Sequence, residues 1–305
     1  MTTLIRILET ALPVLAALVM GMFCRQKQFL TRNGVDALKK VVINLTLPFV
    51  LLNAFASANY EGSTLILPVL VFLLCCAGLV IGKALAKLLR LPGRLPAYVA
   101  AGFEAGMLGY ALFALLYPED SASNFAILDL GQTLFVFTVY KGLLSGKNGL
   151  KNVAKDAVTS PILWAVAAGL LLGATGLYSK MTQWGVGGVL DSLTSFLSAP
   201  TGMIILLTVG YDLVLREIPW KQTFRYLILR LVAMAVLLAV LLAVNKYLLG
   251  GVMHTGAAIL LFLLPPPYVL PIFADEPEQR VTISSALSAL TLVSLLLFAA
   301  MTVLV

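Results

Sequence analysis

Charged and chemically reactive side chains are scarce in this chain of 305 residues. Only 11% of the residues are Asp, Glu, Lys or Arg, and the chain has one histidine and three cysteines. A single histidine cannot form a His-rich metal site, and no His-Glu-x-x-His or Gly-x-Ser-x-Gly motif supplies a catalytic centre. No Gly-x-x-x-x-Gly-Lys-Ser/Thr loop is present to bind a nucleotide phosphate. The sequence therefore predicts neither an enzyme nor an ATP-driven pump, and no metal or cofactor is expected.

Apolar sequence is abundant instead, with 60% hydrophobic residues and a mean hydropathy of +0.99. A soluble protein of this length would carry far more charge. Apolar stretches of about 20 residues are long enough to cross a bilayer as helices. We expect one all-α integral membrane domain, residues 1–305, in contact with lipid. Its ten predicted spans cover roughly residues 7–24, 36–56, 65–89, 96–116, 123–143, 160–178, 190–212, 224–246, 255–274 and 281–303.

The 21 lysines and arginines give a formal net charge of +7, but they do not form the basic patch of a nucleic-acid-binding protein. All except Arg6, Lys180 and Lys246 lie at alternate connections between the predicted spans. Basic residues concentrate on the cytoplasmic side of membrane proteins. The pattern predicts a bacterial inner-membrane protein with both termini on the non-cytoplasmic side, and no nucleic-acid partner.

Span nine is interrupted by three consecutive prolines, Pro265, Pro266 and Pro267, which Tyr268 follows. Each proline removes a backbone N–H and clashes with the carbonyl one turn back, so a helix cannot continue through them. Lipid offers no water to the freed carbonyls, so such a break must be buried in protein or line a wet cavity. Broken membrane helices of this kind form the binding sites of secondary transporters. The sequence predicts half of a binding site at this break.

The two halves of the chain share features at corresponding positions. Spans two and seven contain Pro48 and Pro200, and span four is broken by Gly106 and Gly109 where span nine is broken by prolines. A tyrosine follows each break, Tyr110 after the glycines and Tyr268 after the prolines. Five spans is an odd number, so the second half must enter the membrane upside down, as in many secondary transporters. The predicted inverted repeats are residues 1–146 and 159–305.

Two runs in the first half carry a resemblance to a known family. They are GFEAGMLGY from Gly102 to Tyr110 and ILDLGQTLFVF from Ile127 to Phe137. Together with the proline of span two and the proline break of span nine, they resemble the auxin efflux carrier family of permeases. That family includes plant auxin carriers and bacterial malate and malonate permeases, so the resemblance implies a small organic anion as the substrate.

The resemblance also implies an architecture. It implies ten helices in two inverted five-helix repeats, with broken helices four and nine crossing at mid-membrane, as in sodium/proton antiporters and bile-acid symporters. Spans one, two, six and seven would form a scaffold, and spans three to five and eight to ten a crossover domain that moves like an elevator. A homodimer through the scaffold spans is implied as well.

One departure from the family pattern falls at the start of break four. The family usually has Asn-Thr-Gly there, whereas this chain has Glu104, Ala105 and Gly106. Three interpretations of Glu104 stand. It is protonated and couples substrate movement to a proton, it neutralises a helix N-terminus from the other crossover, or the substrate is neutral, zwitterionic or cationic. Intramembrane carboxylates are functional candidates by default.

Helix N-termini after the two breaks are expected to face the site, because their free N–H groups and partial positive charge suit a carboxylate. Close helix packing is the other interpretation of the glycines at 102 and 106. Four further residues are candidates. Asp129 with Gln132 in span five either supports the site or caps its helix, and Asn44 and Thr201 either face the cavity from spans two and seven or bond neighbouring helices.

Three isolated polar residues are given structural roles. Asp212 and Arg230, assigned to the cytoplasmic ends of spans seven and eight, are interpreted as an ion pair or as side chains that reach the headgroup region. No lysine or arginine is then expected in the middle of a span. His254, at the outer end of span nine, is interpreted as a boundary residue.

The prediction is a gradient-driven carrier for a small organic anion, proton-coupled through Glu104. The ligand would bind between Glu104–Tyr110 and Pro265–Tyr268, walled by spans two and seven. A sodium- or proton-coupled symporter or antiporter of the same fold, for a cation or a non-anionic substrate, is the alternative. A channel is the remaining possibility, because broken helices also build selectivity filters.

Overall fold

The computed structural model describes residues 2–58, 60, 65–144, 155, 158–213, 220–270 and 277–304, and these residues contain helices and no strand. The helices are α1 Thr2–Gln26, α2 Arg32–Val41, α3 Leu47–Ala56, α4 Ile66–Leu88, α5 Pro96–Val99, α6 Tyr110–Leu116, α7 Ser123–Phe135, α8 Lys141–Leu144, α9 Pro161–Ala174, α10 Leu177–Gln183, α11 Gly187–Ser198, α12 Thr201–Asp212, α13 Trp220–Tyr247, α14 Thr255–Leu263 and α15 Pro277–Leu304. Wider π-helical turns precede α3, α6 and α8, at Val42–Thr46, Ala105–Gly109 and Val136–Tyr140.

Several of these helices are long and apolar enough to cross a membrane. Within the described residues five helical stretches meet that condition, or six when α9 and α10, bent by 68° at their junction, count as one span. The stretches are Ile66–Leu88, Ser123–Leu144, Gly187–Asp212, Trp220–Tyr247 and Val281–Thr302. The predicted spans one, two, four and nine are not among them. Span four is interrupted at residues 100–104, and the described helix of span nine, Thr255–Leu263, is shorter than a bilayer is thick. The all-helical membrane class is confirmed, and the count of ten spans stays a prediction.

Local sequence explains how several helices begin. The Ser160 side chain accepts the Leu163 N–H at 3.4 Å, and Pro161 occupies the first position of α9, where a missing N–H costs nothing. The Thr31 hydroxyl caps α2 in the same way through the Gly34 N–H at 3.1 Å. Pro48 lies in the first turn of α3, so the second predicted span continues through a π-helical turn rather than breaking.

The most extensive helix contacts of the described residues fall in two groups, which also contact each other where α1 meets α15 and α3 meets α7. The most extensive contacts join α1 to α12 and α3 to α9. These pairs approach closely at glycines, because a Cβ on Gly21 would lie 2.6 Å from the Tyr211 nitrogen and one on Gly169 would lie 2.8 Å from the Leu52 carbonyl oxygen. A second group is built around α4, which packs against α5, α7 and α13, while α13 packs against α14 and α15. The two broken spans belong to this second group.

Candidate functional site

Break four, which we define as residues 100–104, separates α5 from the helix that starts at Ala105. The chain turns at Gly102, whose φ of +69° lies in the left-handed region that favours glycine. Glu104 follows as the residue that precedes the helix, and its carbonyl accepts the N–H groups of Leu108 and Gly109, each at 3.2 Å. The first N–H groups of that helix have no intrahelical acceptor. The helix that follows break four therefore presents free backbone donors in its first turn.

Break nine, defined as residues 264–270, follows α14. Leu264 adopts an extended conformation, with φ −64° and ψ 151°, as the residue before a proline prefers. The three prolines are buried, and the Leu270 N–H donates to the Pro267 carbonyl at 3.1 Å in a tight turn. The prediction that a helix cannot run through these prolines agrees with the structure. Residues 271–276, where the second half-helix of this span was expected, lie outside the described residues.

The two breaks contact each other directly. The Glu104 N–H donates to the Pro265 carbonyl at 2.9 Å, and the Tyr268 N–H donates to the Glu104 carboxylate at 2.5 Å. At Gly102 a Cβ would lie 3.1 Å from the Pro267 ring, so the glycine allows the two chains to approach. Glu104 thus satisfies a backbone donor of the other break. Tyr268 lies in a turn, so neutralisation of a helix N-terminus by Glu104 stays a prediction.

Arg230 lies where the two breaks meet, and here the sequence interpretation is wrong. Its side chain does not reach the surface of the protein, because it is only 2% exposed. Its guanidinium donates to the carbonyls of Val99 at 3.0 Å, Gly102 at 2.9 Å and Leu264 at 2.8 Å, and it stacks over the Phe103 ring. The expectation of no basic side chain inside a span is corrected as well. The signal was present in the sequence, because Arg230 is flanked on both sides by apolar residues of one long helix.

Asp212, the expected partner of Arg230, is found elsewhere. It ends α12 and pairs with Arg32 and Lys39 at the start of the second span. Arg25 donates to the neighbouring Tyr211 carbonyl at 3.2 Å. The proposed Asp212–Arg230 ion pair is therefore wrong, because helix packing places the two side chains in different groups. The Asp212 cluster instead lies at the end of the molecule that carries most of the basic connections.

Asp129 does not cap its helix. α7 begins at Ser123, so Asp129 lies well past the first turn, and it is only 2% exposed. It accepts the Tyr110 hydroxyl at 3.0 Å and the Gln132 amide at 3.2 Å, and the same amide donates to the Phe103 carbonyl at 3.0 Å. The cap interpretation is corrected. The hydrogen bonds of Asp129 and Gln132 connect α7 to Phe103 in break four and to Tyr110 in α6.

A cavity of about 820 Å³ ends where the two breaks meet. Its inner end includes Glu104, Gly106 and Tyr268 together with Asp129 and Gln132. Its mouth is formed at helix ends by charged residues, one of which has a largely exposed side chain. These residues are Arg25, Arg32, Asp36, Lys39, Lys141 and Asp212. Much of the wall between mouth and inner end is apolar and comes from the second, fifth and seventh spans.

Several predicted site residues do not line this cavity. Asn44 is exposed and donates to the Lys40 carbonyl at 2.8 Å, so in this conformation it faces away. Tyr110 is engaged with Asp129. The other predicted residues outside the lining are Pro48, Gly109, Pro200, Thr201, Pro265 and Pro266. Of these, Thr201 is buried with a hydroxyl that has no partner within the described residues.

Span ten contributes polar residues that were not predicted for the site. Ser284, Ser288 and Thr291 line the cavity from one face of α15, and the Thr291 hydroxyl lies 3.0 Å from the Tyr268 hydroxyl. Their spacing of four and three residues is that of one helix face, which is a signal the sequence contains. The His254 ring accepts the Ala257 N–H at the start of α14 and lies 3.1 Å from the Asp120 carboxylate, and its assignment as a boundary residue stays a prediction.

A helical membrane fold whose cavity ends at two helix breaks in direct contact is typical of a membrane transporter. Residues 6–146 match the model of a family described as membrane transport protein, and the predicted resemblance to the auxin efflux carriers is thereby confirmed over those residues. An uncharacterized transporter of Methanothermobacter thermautotrophicus is 25% identical over 214 residues, which cover 67% of each chain. These similarities support membrane transport as the activity of this integral membrane protein.

Proposed function

We propose that this protein is a secondary carrier that moves a small organic anion, such as a dicarboxylate or an auxin-like carboxylate, across the membrane. The observation that supports the proposal is the cavity, which runs from a charged mouth to the point where the two breaks meet. Carriers place their substrate where broken helices cross, because irregular backbone there can bind a ligand without facing lipid. Bound ligand would lie against Glu104, Gly106, Pro267 and Tyr268.

Recognition of the anion is assigned to backbone donors of break four. The helix after Glu104 begins with N–H groups that have no intrahelical acceptor, and Gly106 in this first turn lines the cavity. A helix N-terminus carries roughly half a positive charge, which favours a carboxylate there. Arg25, Arg32, Lys39 and Lys141 at the mouth would attract anions from solution.

Alternating access would arise from relative motion of the two helix groups. The scaffold is proposed to be spans one, two, six and seven, and the moving part spans three to five and eight to ten. Helices α1 and α9 correspond to spans one and six, and α3 and α12 to spans two and seven. In support of the proposal, α1 packs on α12 and α9 packs on α3, so the first span of each repeat contacts the second span of the other. The cavity opens on the basic face, so the conformation would be open to the cytoplasm, with both termini outside. A homodimer through the scaffold is part of this proposal.

Proton coupling is proposed to run through Glu104. An ionised Glu104 would repel an anion bound at the adjacent helix N-terminus, so binding of the anion would favour protonation of the carboxylate. Uptake into proteoliposomes should then accelerate when a proton gradient is imposed. The Glu104→Gln variant keeps an oxygen for the Tyr268 N–H but should lose the response to the gradient. Glu119→Gln, at an exposed position outside the cavity, should keep it.

Either of two results would contradict this coupling scheme. One is wild-type uptake that ignores the proton gradient. The other is a Glu104→Gln variant that transports as the wild type does and still responds to the gradient. Sodium coupling would show instead as uptake that requires a sodium gradient at constant pH.

Ligand class is best tested by thermal unfolding of the purified protein in the presence of carboxylates, amines and sugars. A ligand at 100 times its dissociation constant stabilises the folded state by about 2.7 kcal/mol, so a true ligand gives a clear shift. Carboxylates should raise the unfolding midpoint, and Ser288→Ala in the cavity should reduce the shift. The matched change Ser192→Ala, at an exposed site on α11, should not. Shifts with amines or sugars and none with any acid would overturn the anion proposal.

One observation favours a second candidate, which is a proton-coupled symporter or antiporter for a cationic or uncharged substrate. Glu104 and Asp129 line the same cavity, linked through Gln132 and the Phe103 carbonyl. Two carboxylates beside one site suit the exchange of a cation against protons. Stabilisation by amines or alkali cations that is lost in both Glu104→Gln and Asp129→Asn would support this candidate over the first.

A further inference from the structure

Three carbonyl groups released by the two breaks converge on one side chain. The Arg230 guanidinium donates to the carbonyls of Val99 at the end of α5, of Gly102 in break four and of Leu264 in break nine, all at 2.8–3.0 Å. Arg230 itself belongs to neither break, because it lies on α13. A single charged group therefore ties together two chain segments that are separated by more than 160 residues.

The environment of Arg230 is that of a bound cation. Its side chain is buried, its guanidinium stacks over Phe103, and no carboxylate of the described residues forms an ion pair with it. Its oxygen partners are all backbone carbonyls. Carbonyl groups of irregular membrane segments are the ligands that sodium and potassium take up in channels and transporters, where they replace the hydration shell.

We propose that Arg230 is a built-in cation that takes the place of an alkali metal ion at the crossing. The fixed guanidinium neutralises the carbonyl dipoles of both breaks, so the crossed arrangement forms without sodium or potassium at this position. Arg230 is thus a positioning residue, which acts on the ligand through the backbone of break four. The proposal concerns how the crossing is held together and does not depend on which substrate is carried.

A second cavity provides a way to test this idea chemically. A pocket of about 290 Å³ is lined by Arg230, by apolar residues of α13 and α14, and by one face of α15. Arg230 borders this pocket, and its Nε–H has no partner within the described residues. Truncation of Arg230 would join the vacated space to the pocket, so a small cation could enter and replace the lost guanidinium.

The experiment measures thermal unfolding of the purified full chain in detergent at constant ionic strength. Sodium chloride, potassium chloride and N-methylglucamine chloride are compared first for the wild type, which should give the same midpoint in all three. The Arg230→Ala variant should unfold about 5–10 °C lower, because buried carbonyls lose their only charged partner. Addition of methylguanidinium or sodium should restore part of that loss. Arg225→Ala, the same change five residues earlier on α13, should show neither effect.

Three outcomes would overturn the proposal. One is a wild-type midpoint that sodium or potassium raises above its value in N-methylglucamine. Another is an Arg230→Ala variant as stable as the wild type. The last is a destabilised variant whose midpoint the added cations raise no more than that of Arg225→Ala, which would leave Arg230 only a packing role. If Arg230→Ala cannot be produced, Arg230→Met and the wild-type salt comparison give the same decision.

Discussion

The two breaks achieve the same interruption by opposite chemical means. Break nine uses three prolines, which remove backbone donors and leave only carbonyls to satisfy. Break four uses Gly102 in a left-handed conformation, so it keeps the N–H groups of the residues that follow. Break nine is therefore rich in acceptors and rigid, whereas break four is rich in donors and depends on one flexible position.

This difference explains which hydrogen bonds hold the two breaks together and which backbone groups remain free to bind a ligand. Acceptors of both breaks are taken by Arg230, and the Pro265 carbonyl is taken by the Glu104 N–H. The Tyr268 N–H of break nine is taken by the Glu104 carboxylate, and the Leu270 N–H is taken by the Pro267 carbonyl. The donors left over belong to the first turn after break four. Break four is thus the half of the proposed site that binds the ligand, and break nine is the half that supports break four.

The largest effect is expected from Gly102→Ala, which attacks the flexible position of break four. A side chain at φ +69° is strained, and its Cβ would lie 3.1 Å from the Pro267 ring. Together these should lower the free energy of unfolding by about 2–3 kcal/mol, measured by thermal or denaturant unfolding. Gly176→Ala is the matched control, because its φ is +68° and nothing lies within 4 Å of its Cβ. Equal losses for the two variants would show that contact between the breaks contributes nothing.

A smaller effect is expected from Pro267→Ala in break nine. The change introduces a buried N–H with no assigned acceptor and frees the unfolded chain, which should cost about 1–2 kcal/mol of stability. Pro92→Ala, at an exposed loop position, should cost less than 1 kcal/mol. The double variant with Gly102→Ala should lose less than the sum of the single losses, because removal of the ring relieves the clash. Strict additivity would contradict direct contact between the breaks.

The smallest effect on stability is expected from Gly106→Ala, which should instead change the kinetics of transport. A Cβ there would contact Leu47 at an ordinary 3.4 Å, and alanine favours helix, so the unfolding midpoint should stay within about 1 kcal/mol of wild type. The methyl group would occupy the cavity beside the free N–H groups and should raise KM for uptake by up to about tenfold. Gly202→Ala, outside the cavity lining, should leave KM unchanged, and a similar rise there would contradict the assignment of Gly106 to the site.

Covalent restriction of the backbone made the existence of both breaks predictable from the sequence. Pro265 to Pro267 cannot be helical in any environment, so the position of break nine follows from local chemistry. The position of break four was predicted wrongly at Gly106 and Gly109, which lie in a π-helical turn, whereas the chain turns at Gly102. The membrane class follows equally from the lengths of the apolar runs. The length criterion fails where the runs are broken, because neither helix of span four, nor the described helix Thr255–Leu263 of span nine, is as long as a bilayer is thick.

Roles that depend on which helices become neighbours could not be read from local sequence. Arg230 looks like a side chain that reaches a headgroup, until the packing of α13 against α4 and α14 places it between two breaks. Asp129 looks like a residue of a first turn, until α7 is seen to begin six residues earlier, with Tyr110 beside the carboxylate. In each case the deciding contact crosses from one helix to another.

The position of Arg230 on a late helix has a consequence for biosynthesis. Residues of break four leave the ribosome more than a hundred residues before the guanidinium that binds the Val99 and Gly102 carbonyls. The four-residue helix Pro96–Val99 cannot anchor itself in lipid during that interval, so break four should mature only after α13 has been inserted. A fragment that ends near residue 146 should therefore insert its longer helices yet remain open to proteases at break four, until the second half is supplied.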